Sequence, residues 1–338
     1  RVNVGVDANL LDNRLGVRFN YFRSATDHLL MWQEMSFLSG LDKTWGNGGK
    51  LENRGFDVEA TGVVWASPSW QWQVGASVGH YKNEVTALPD GQQYMDTEIL
   101  GATVRTEIGR PANLFYGYKT KGVFATSAEA QAAGLYVRDA NGVDQTAFEA
   151  GDVHFVDLDG DHFVTEADRT VIGDPNPDIY GNIFTTVQYR RFRLDVRFNY
   201  SLGNDIYNYM RQQLESGSRF MNQTTALARR WQVEGQQTDI PRLSFQDPMG
   251  NSRFSDRWIE DGSYLRLKTV TLSYDLPISS TFLQGLQFWV QANNVFTLSR
   301  YLGTDPEGAA LSAVLGQGID AGSVPQSRNF MVGIKISL

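Results

Sequence analysis

The stretch Asp157-Leu158-Asp159-Gly160-Asp161, followed by Glu166 and Asp168, carries the densest chemistry in the sequence. Carboxylates at positions 1, 3, 5 and 12 of a loop can converge on a hard cation that prefers oxygen ligands. The candidate ligands are Asp157, Asp159, Asp161 and Asp168, with the Phe163 carbonyl added at position 7. The pattern departs from an EF-hand loop. Gly160 stands at position 4, His162 occupies position 6 where the sharp turn asks for Gly, and position 12 is Asp rather than a bidentate Glu. A structural calcium ion is one expectation. The other is a solvated acidic turn whose carboxylates accept backbone N–H groups.

Other chemistry is sparse. There are no cysteines, which excludes disulfides, thiolate metal sites and thiol nucleophiles. None of the four histidines (28, 80, 154 and 162) lies near a nucleophile motif. The one-residue spacing of the Asp157 cluster suits a cation better than a carboxylate pair set across a sugar, so no enzyme is expected. Net charge is −8 and the basic residues are scattered, so no nucleic-acid face is expected.

The elements that must position these residues read as strands. Phe330, Val332, Ile334, Ile336 and Leu338 alternate with Met331, Gly333, Lys335 and Ser337, a period of two. Val2 to Leu10 and Leu15 to Tyr21 alternate in the same way across a turn at Asp12-Asn13. Phe56 to Val64 and Trp70 to Val78 flank Ser67-Pro68-Ser69, and Trp70 and Trp72 beside that turn suit a membrane interface. Phe192, Leu194, Val196, Phe198 and Tyr200 alternate with Arg193, Asp195, Arg197 and Asn199 after a turn at Arg190-Arg191. Leu286 to Ala292 alternates with Gln287, Trp289, Gln291 and Asn293. Ser263 to Leu276 changes the parity of its apolar face, which predicts a bulge. No window offers the run of about 18 apolar residues that a membrane helix needs, but barrel strands cross without one.

Between the strands lie longer stretches. Residues 36–49 read as a Gly-rich loop, and 92–122 as a long loop with strands near 103–108 and 115–124. Ser127 to Ala133 reads as a short helix in an Ala-rich insertion. Ile206 to Trp231 has helical character, with Tyr207, Met210, Leu214, Ala226, Leu227 and Trp231 as candidate buried positions. A loop rich in Gly, Ala and Ser spans 298–325. The chain opens at Arg1 directly on a strand, without Met or leader, which is expected of numbering that starts inside a longer protein.

Several stretches resemble one family. Asn53-Arg54-Gly55-Phe56-Asp57-Val58, Gly117-Tyr118 to Gly122-Val123-Phe124, Gly151-Asp152 to Asp161 with Ile172-Gly173 and Pro175 to Gly181, Arg230-Trp231 with Ile240-Pro241-Arg242, Tyr264-Leu265-Arg266-Leu267-Lys268 to Pro277, Asn294-Val295-Phe296-Thr297 to Asp305-Pro306-Glu307, and Pro325-Gln326-Ser327-Arg328 to Gly333 follow in order. They resemble the C-terminal part of a SusC/RagA-type TonB-dependent outer-membrane transporter. The chain departs at His162, where that family has Gly, and at Leu338, where such barrels usually end in Phe.

The resemblance implies an all-β, transmembrane antiparallel β-barrel of 22 strands in the outer membrane of a Gram-negative bacterium. Residues 1–338 would supply its C-terminal part, roughly ten strands with long extracellular loops. The N-terminal barrel strands, the plug and the TonB box would lie outside this chain. The implied partners are a SusD-like surface lipoprotein, TonB, the rest of the same transporter, membrane lipid, and an oligosaccharide or peptide substrate. Lumen candidates are Arg193, Asp195, Arg197, Asn199, Gln287, Gln291 and Asn293. Loop candidates for substrate or lid contact are Tyr207, Tyr209, Arg211, Phe220, Tyr301 and Asp305. The alternative is a soluble β-sandwich, an adhesin or carbohydrate-binding module with a calcium loop, in which a second sheet would cover the apolar faces.

Overall fold

The computed structural model describes residues 1–35, 37–40, 43–138, 142, 145–278, 282–308 and 316–337. Nine long strands form one sheet: β1 (Val2–Leu10), β2 (Leu15–Glu34), β3 (Lys43–Ser67) and β4 (Trp70–Ala87), then β13 (Ile179–Tyr189), β14 (Phe192–Leu202), β17 (Tyr264–Leu276), β18 (Gly285–Ser299) and β20 (Asn329–Ser337). They lie side by side in chain order, β1-β2-β3-β4-β13-β14-β17-β18-β20, and every pairing is antiparallel. The sheet does not close on itself; β1 and β20 are its two edges. The last strand covers Asn329–Ser337, and the expected strand position at Leu338 lies outside the described residues.

Short turns join these strands at one end and long excursions at the other. Leu11, Asp12 and Asn13 take left-handed φ values of 56°, 52° and 62° in the first turn, and Arg190 takes 53° in the β13–β14 turn. Asp and Asn tolerate this region, which is why Asp12-Asn13 was legible as a turn. The parity change in β17 is a bulge: the register slips between Leu267 and Thr269 against both neighbours. The extra residue, Lys268, lets Arg266 and Thr269 share one face.

Register puts apolar side chains in rows across one face. Trp65, Trp72, Val187, Leu194, Leu272, Val290 and Val332 are neighbours strand by strand. Nearer the short turns runs an aromatic row of Trp70, Tyr189, Phe192, Tyr274 and Phe288. The Trp70 and Tyr189 rings lie 5.4 Å apart and those of Phe192 and Tyr274 4.6 Å apart. This face has no second layer over it: Val4, Val290, Ile334 and Val332 are 60%, 47%, 59% and 80% exposed. A sandwich would bury those residues, and the described residues supply no second sheet over them.

The opposite face is polar but contains glycines with aromatic rings laid across them. A Cβ at Gly55, Gly75, Gly79 or Gly333 would meet the ring of Phe22, Phe184, Tyr180 or Trp289 at 2.7 Å or less. Such cross-strand rings cover backbone that a glycine leaves bare.

The excursions hold the buried core. Between β4 and β13 lie β5 (Tyr94–Ile99), β6 (Ala102–Glu107), β7 (Leu114–Tyr118), β8 (Thr120–Val123), α1 (Ser127–Ala133), β9 (Tyr136–Arg138), β10 (Gln145–Ala147), β11 (Val153–Phe155) and β12 (Arg169–Gly173). Between β14 and β17 lie β15 (Asp205–Asn208), α2 (Tyr209–Glu215) and β16 (Ile259–Asp261), and β19 (Ile319–Asp320) precedes β20. One core gathers Phe124, Leu135, Phe148, Val153 and Phe155; another gathers Val104, Phe115, Tyr207, Trp258 and Ile319.

Several loop expectations change. The Gly-rich stretch from residue 36 is mostly strand, since β3 begins at Lys43; Ser36, Leu41 and Asp42 lie outside the described residues. Residues 92–122 carry four strands rather than one or two, in sheets β12-β7-β6-β5 and β11-β8. The Ser127–Ala133 helix forms with those bounds, capped by the Thr126 side chain on the Glu129 N–H and closed by Gly134 at φ 61°. The helical reading of residues 206–231 holds only for Tyr209–Glu215 and a 3₁₀ turn at Thr225–Arg229. Ile206 and Tyr207 instead sit in β15, paired to β16 and β19, because the core takes them there at 2% and 0% exposure. Met210, expected to be buried, is 37% exposed.

Candidate functional site

The seven lumen candidates share the polar face of the nine-stranded sheet. Arg193 donates to Asp195 through Nε and Nη2 at 2.8 and 3.0 Å, and Thr186 donates to the same carboxylate at 2.7 Å. Gln291 donates to Asn293 at 2.9 Å, Thr271 donates to Gln291 at 3.3 Å, and Thr269 bonds Asn293 at 3.3 Å. Gln287 donates to Asp275 at 2.8 Å. Arg197 is exposed on this face, and Asn199 lies one row beyond it. The strands bring these groups together because paired residues of an antiparallel sheet point to the same side.

The loop candidates divide. Phe220 is 94% exposed and stacks on Phe245 with ring centroids 4.8 Å apart. Tyr209 is half-buried on α2, its ring edge-on to Tyr207. Arg211 is held by Glu215 and Glu260, each at 3.0 Å. The other three are structural as placed. Tyr207 is wholly buried, its hydroxyl bonded to the Leu100 carbonyl and the Gln212 side chain. Tyr301 is buried with its hydroxyl on Asp320 at 2.6 Å, and burial together with that carboxylate pushes its pKa well up. Asp305 is buried against Arg266 and is not presented to a ligand.

That Arg266–Asp305 pair is the centre of a clamp the sequence did not reveal. Arg266, 3% exposed on β17, donates to Asp305, to Glu307 at 2.6 Å and to Thr297 at 2.9 Å. The Gln326 N–H donates to Asp305 at 3.1 Å and the Gln326 amide to Glu307 at 3.1 Å. Lys268 bridges Glu307 and Gln326 at 3.3 and 2.8 Å. Burial opposes the charge on Asp305, but Arg266 and the Gln326 and Glu307 N–H groups outweigh it and hold the carboxyl below its usual range.

A second buried carboxylate, Asp152, was also missed as a centre. It is wholly buried, takes Arg242 in a two-pronged pair at 2.9 Å on each prong, and accepts from Asn251 at 2.9 Å. Gly151 beside it has φ 87° and no room for a Cβ, which would meet the Trp231 ring at 2.5 Å. The motif pieces Gly151-Asp152, Arg230-Trp231 and Pro241-Arg242 thus meet in one place. Their order in the chain was the available signal.

The acidic loop draws three of its candidates together. One carboxylate oxygen each of Asp157, Asp159 and Asp161 lies within 4.8 Å of the others. Gly160 and His162 donate to Asp157 at 2.7 and 3.0 Å, Asp161 to Asp159 at 3.1 Å, and Phe163 to Asp161 at 2.7 Å. Desolvation works against the Asp157 charge, yet those two N–H groups leave its pKa lowered. On Asp159 the Asp161 N–H favours the charge, but desolvation and the neighbouring carboxylates prevail and raise it. Repulsion of this kind is what a cation would relieve. Asp168 is separate: both its oxygens accept backbone N–H groups, from Leu158 and Thr165 at 2.8 Å, and close a capping box. His162 takes φ 69°, the turn that Gly would make without strain.

The whole arrangement is one open antiparallel sheet with an uncovered apolar face and structured loops at one end. The chain is 30% identical over 349 residues to TonB-dependent receptor P3 of Formosa agariphila and 26% identical over 348 residues to TonB-dependent receptor P26 of the same bacterium. Each match covers 99% of this chain and 34% of the relative, so the chain spans about a third of the length of the curated relatives it matches. The structure of the RagAB peptide transporter superposes with a TM-score of 0.79 at 25% identity, covering 99% of this chain and 34% of that chain. The RagAB importer in its closed-closed state superposes at 0.76. No protein-family model matches the sequence. Over 99% of its length the chain is similar to a part of TonB-dependent receptors, and its fold resembles that of the corresponding part of the RagAB transporter.

Proposed function

We propose that this chain forms part of the barrel wall and the outward loops of a TonB-dependent transporter in a Gram-negative outer membrane. The cargo class is an oligosaccharide or a peptide. A SusD-like surface lipoprotein serves as lid, and TonB supplies energy through parts of the protein beyond this chain. The observation that carries the reading is the uncovered apolar face, banded by Trp70, Tyr189, Phe192, Tyr274 and Phe288 at the short-turn end. Aromatic girdles of this kind sit at the headgroup level of outer-membrane barrels. The RagAB likeness supports a paired lipoprotein.

The test is fractionation of the full-length native protein. It is expected in the outer-membrane fraction, soluble only in detergent, and faster on an unboiled gel than on a boiled one. Recovery from the soluble fraction without detergent overturns the reading.

The acidic loop is proposed to hold calcium through Asp157, Asp159 and Asp161, with the Phe163 carbonyl. Asp168 serves by shaping the loop. In the full-length protein, calcium at about 100 times its Kd is expected to stabilise the loop by about 2.7 kcal/mol, read as proteolysis protection around residue 160. The Asp159→Asn/Asp161→Asn variant should show no such protection. Equal protection by magnesium or by no ion at all leaves only a solvated turn.

A further inference from the structure

At the loop end of the apolar face the outward side chains change character. One register row there carries Tyr21, Phe56 and His80, with the Phe56 and His80 rings 5.6 Å apart. The next row out carries Arg23, Arg54 and Lys82 on β2, β3 and β4, and all three are exposed. They share the face of Val58 and Val78, because the pairing runs without a slip from Val58 and Val78 to Arg54 and Lys82. On β4, Lys82 follows Trp72 of the apolar row by ten residues. At a rise of about 3.4 Å per residue and a strand tilt of about 40°, that is about 26 Å along a barrel axis, against an apolar band of about 25 Å. The basic row therefore stands where an apolar band that begins at Trp72 ends. It is local, because the outward positions at the loop end of β14, β17 and β18 are Leu202, Leu265 and Leu298.

We infer that Arg23, Arg54 and Lys82 bind the phosphate groups of a phosphorylated glycolipid, lipopolysaccharide, in the outer leaflet. The inference rests on the transporter reading, which gives the apolar face to lipid and turns the long loops outward. Charge complementarity and depth carry it. Adjacent strands lie about 4.8 Å apart, so the three cations span about 10 Å, the scale of a phosphorylated disaccharide headgroup. Two guanidinium groups side by side offer forks that match phosphate oxygens, and Lys82 adds a point charge. Clustered cations beside an apolar surface are the usual means of holding anionic headgroups. Two carboxylates compete for them: Arg23 pairs with Glu52 at 2.8 Å and Lys82 with Glu84 at 3.7 Å. Both carboxylates stand one row farther out, and with Arg23 and Lys82 62% and 51% exposed the pairs are worth little by themselves. Arg54 lies between the two, with described strands on either side. Its register puts it on the lipid side, away from the polar face that a plug would meet.

The test uses the full-length transporter, purified from the outer membrane of its native host in a mild detergent. Mass spectrometry counts the lipid A and the phospholipid that each preparation retains per protein. The parent is expected to retain lipid A. The Arg23→Gln/Arg54→Gln/Lys82→Gln variant should retain less by about tenfold or more, since each cation beside an anionic surface is worth about fivefold. Arg190→Gln/Arg191→Gln, in a short turn at the opposite end, should match the parent. Parent protein stripped of lipid should rebind intact lipopolysaccharide, and should not rebind the same material after hydrofluoric acid has removed its phosphates. No lipid A on the parent, equal lipid A on the triple variant, an equal fall in the Arg190/Arg191 control, rebinding without phosphate, or a loss confined to phospholipid would each overturn the proposal. Heat-modifiable mobility shows that each variant has assembled. If the triple variant does not assemble, Arg54→Gln serves in its place, with a fall of about fivefold expected. Absence of the parent protein from the outer membrane would instead sink the transporter reading itself.

Discussion

Asp305→Ala in the full-length protein is expected to lower stability by about 1–3 kcal/mol, because it removes one of the two carboxylates of the buried Arg266 guanidinium and leaves Glu307 as its remaining anion. Arg266 and Asp305 are 3% and 6% exposed, so water cannot replace the lost carboxylate. The effect should be local first. Gln326 loses its N–H acceptor at Asp305, and it lies just ahead of β20, which pairs with β18. Limited proteolysis between residues 300 and 328 is the sensitive readout, with the urea midpoint as the global one. The double variant Arg266→Met/Asp305→Leu should recover much of the loss, since apolar groups of similar volume often replace a buried ion pair at little cost. The same pair sets a pH dependence. The folded carboxyl titrates below the unfolded one, so its contribution is complete above the unfolded value near 4 and is lost as pH falls through the lower folded value. Unchanged protease resistance in Asp305→Ala would show that the clamp does not hold the last loop.

Leu272→Arg should block assembly where Thr271→Arg does not. Leu272 stands in the apolar row between Leu194 and Val290, and it is 44% exposed with no second sheet over it. If lipid covers that face, an arginine near the bilayer midplane costs about 2–4 kcal/mol. Thr271 is the next residue, on the polar face beside Asp195 and Gln291. The folded, heat-modifiable band should fall sharply for Leu272→Arg and stay near the parent level for Thr271→Arg. Equal yields from the two would mean that something other than lipid covers the apolar face.

Much of the wall was legible because strand alternation is a local signal. Arg193 to Tyr200 could be sorted into faces by parity, and the parity slip in Ser263–Leu276 announced the bulge at Lys268. The Ser127–Ala133 helix was legible from its ends, with Thr126 and Gly134 supplying caps. The acidic loop converged as its spacing suggested for Asp157, Asp159 and Asp161, while Asp168 turned to backbone capping. The excursions were less legible. An aromatic residue in a long loop looks the same whether it enters a core, as Tyr207 and Tyr301 do, or meets solvent, as Phe220 does. The Arg266 clamp joins residues 39 and 41 positions away, and nothing local selects Asp305 or Glu307 as partners. Asp152 was visible as part of a motif, but its partner Arg242 lies 90 residues later.

The rings laid over Gly55, Gly75, Gly79 and Gly333 have a geometric consequence for the polar face they cover. Each large side chain lies along the sheet instead of standing out from it, so the polar face stays low although it carries Phe, Tyr and Trp. A methyl group on Gly75, Gly79 or Gly333 would lift its ring away from the sheet by roughly an atomic diameter, about 3.5 Å, whereas at Gly55 it would also strike the His80 carbonyl oxygen. Three small positions thereby set how far the polar face stands out from the sheet. A descendant sequence could raise that face at one level by a single alanine at Gly75, Gly79 or Gly333, where only side chains are met.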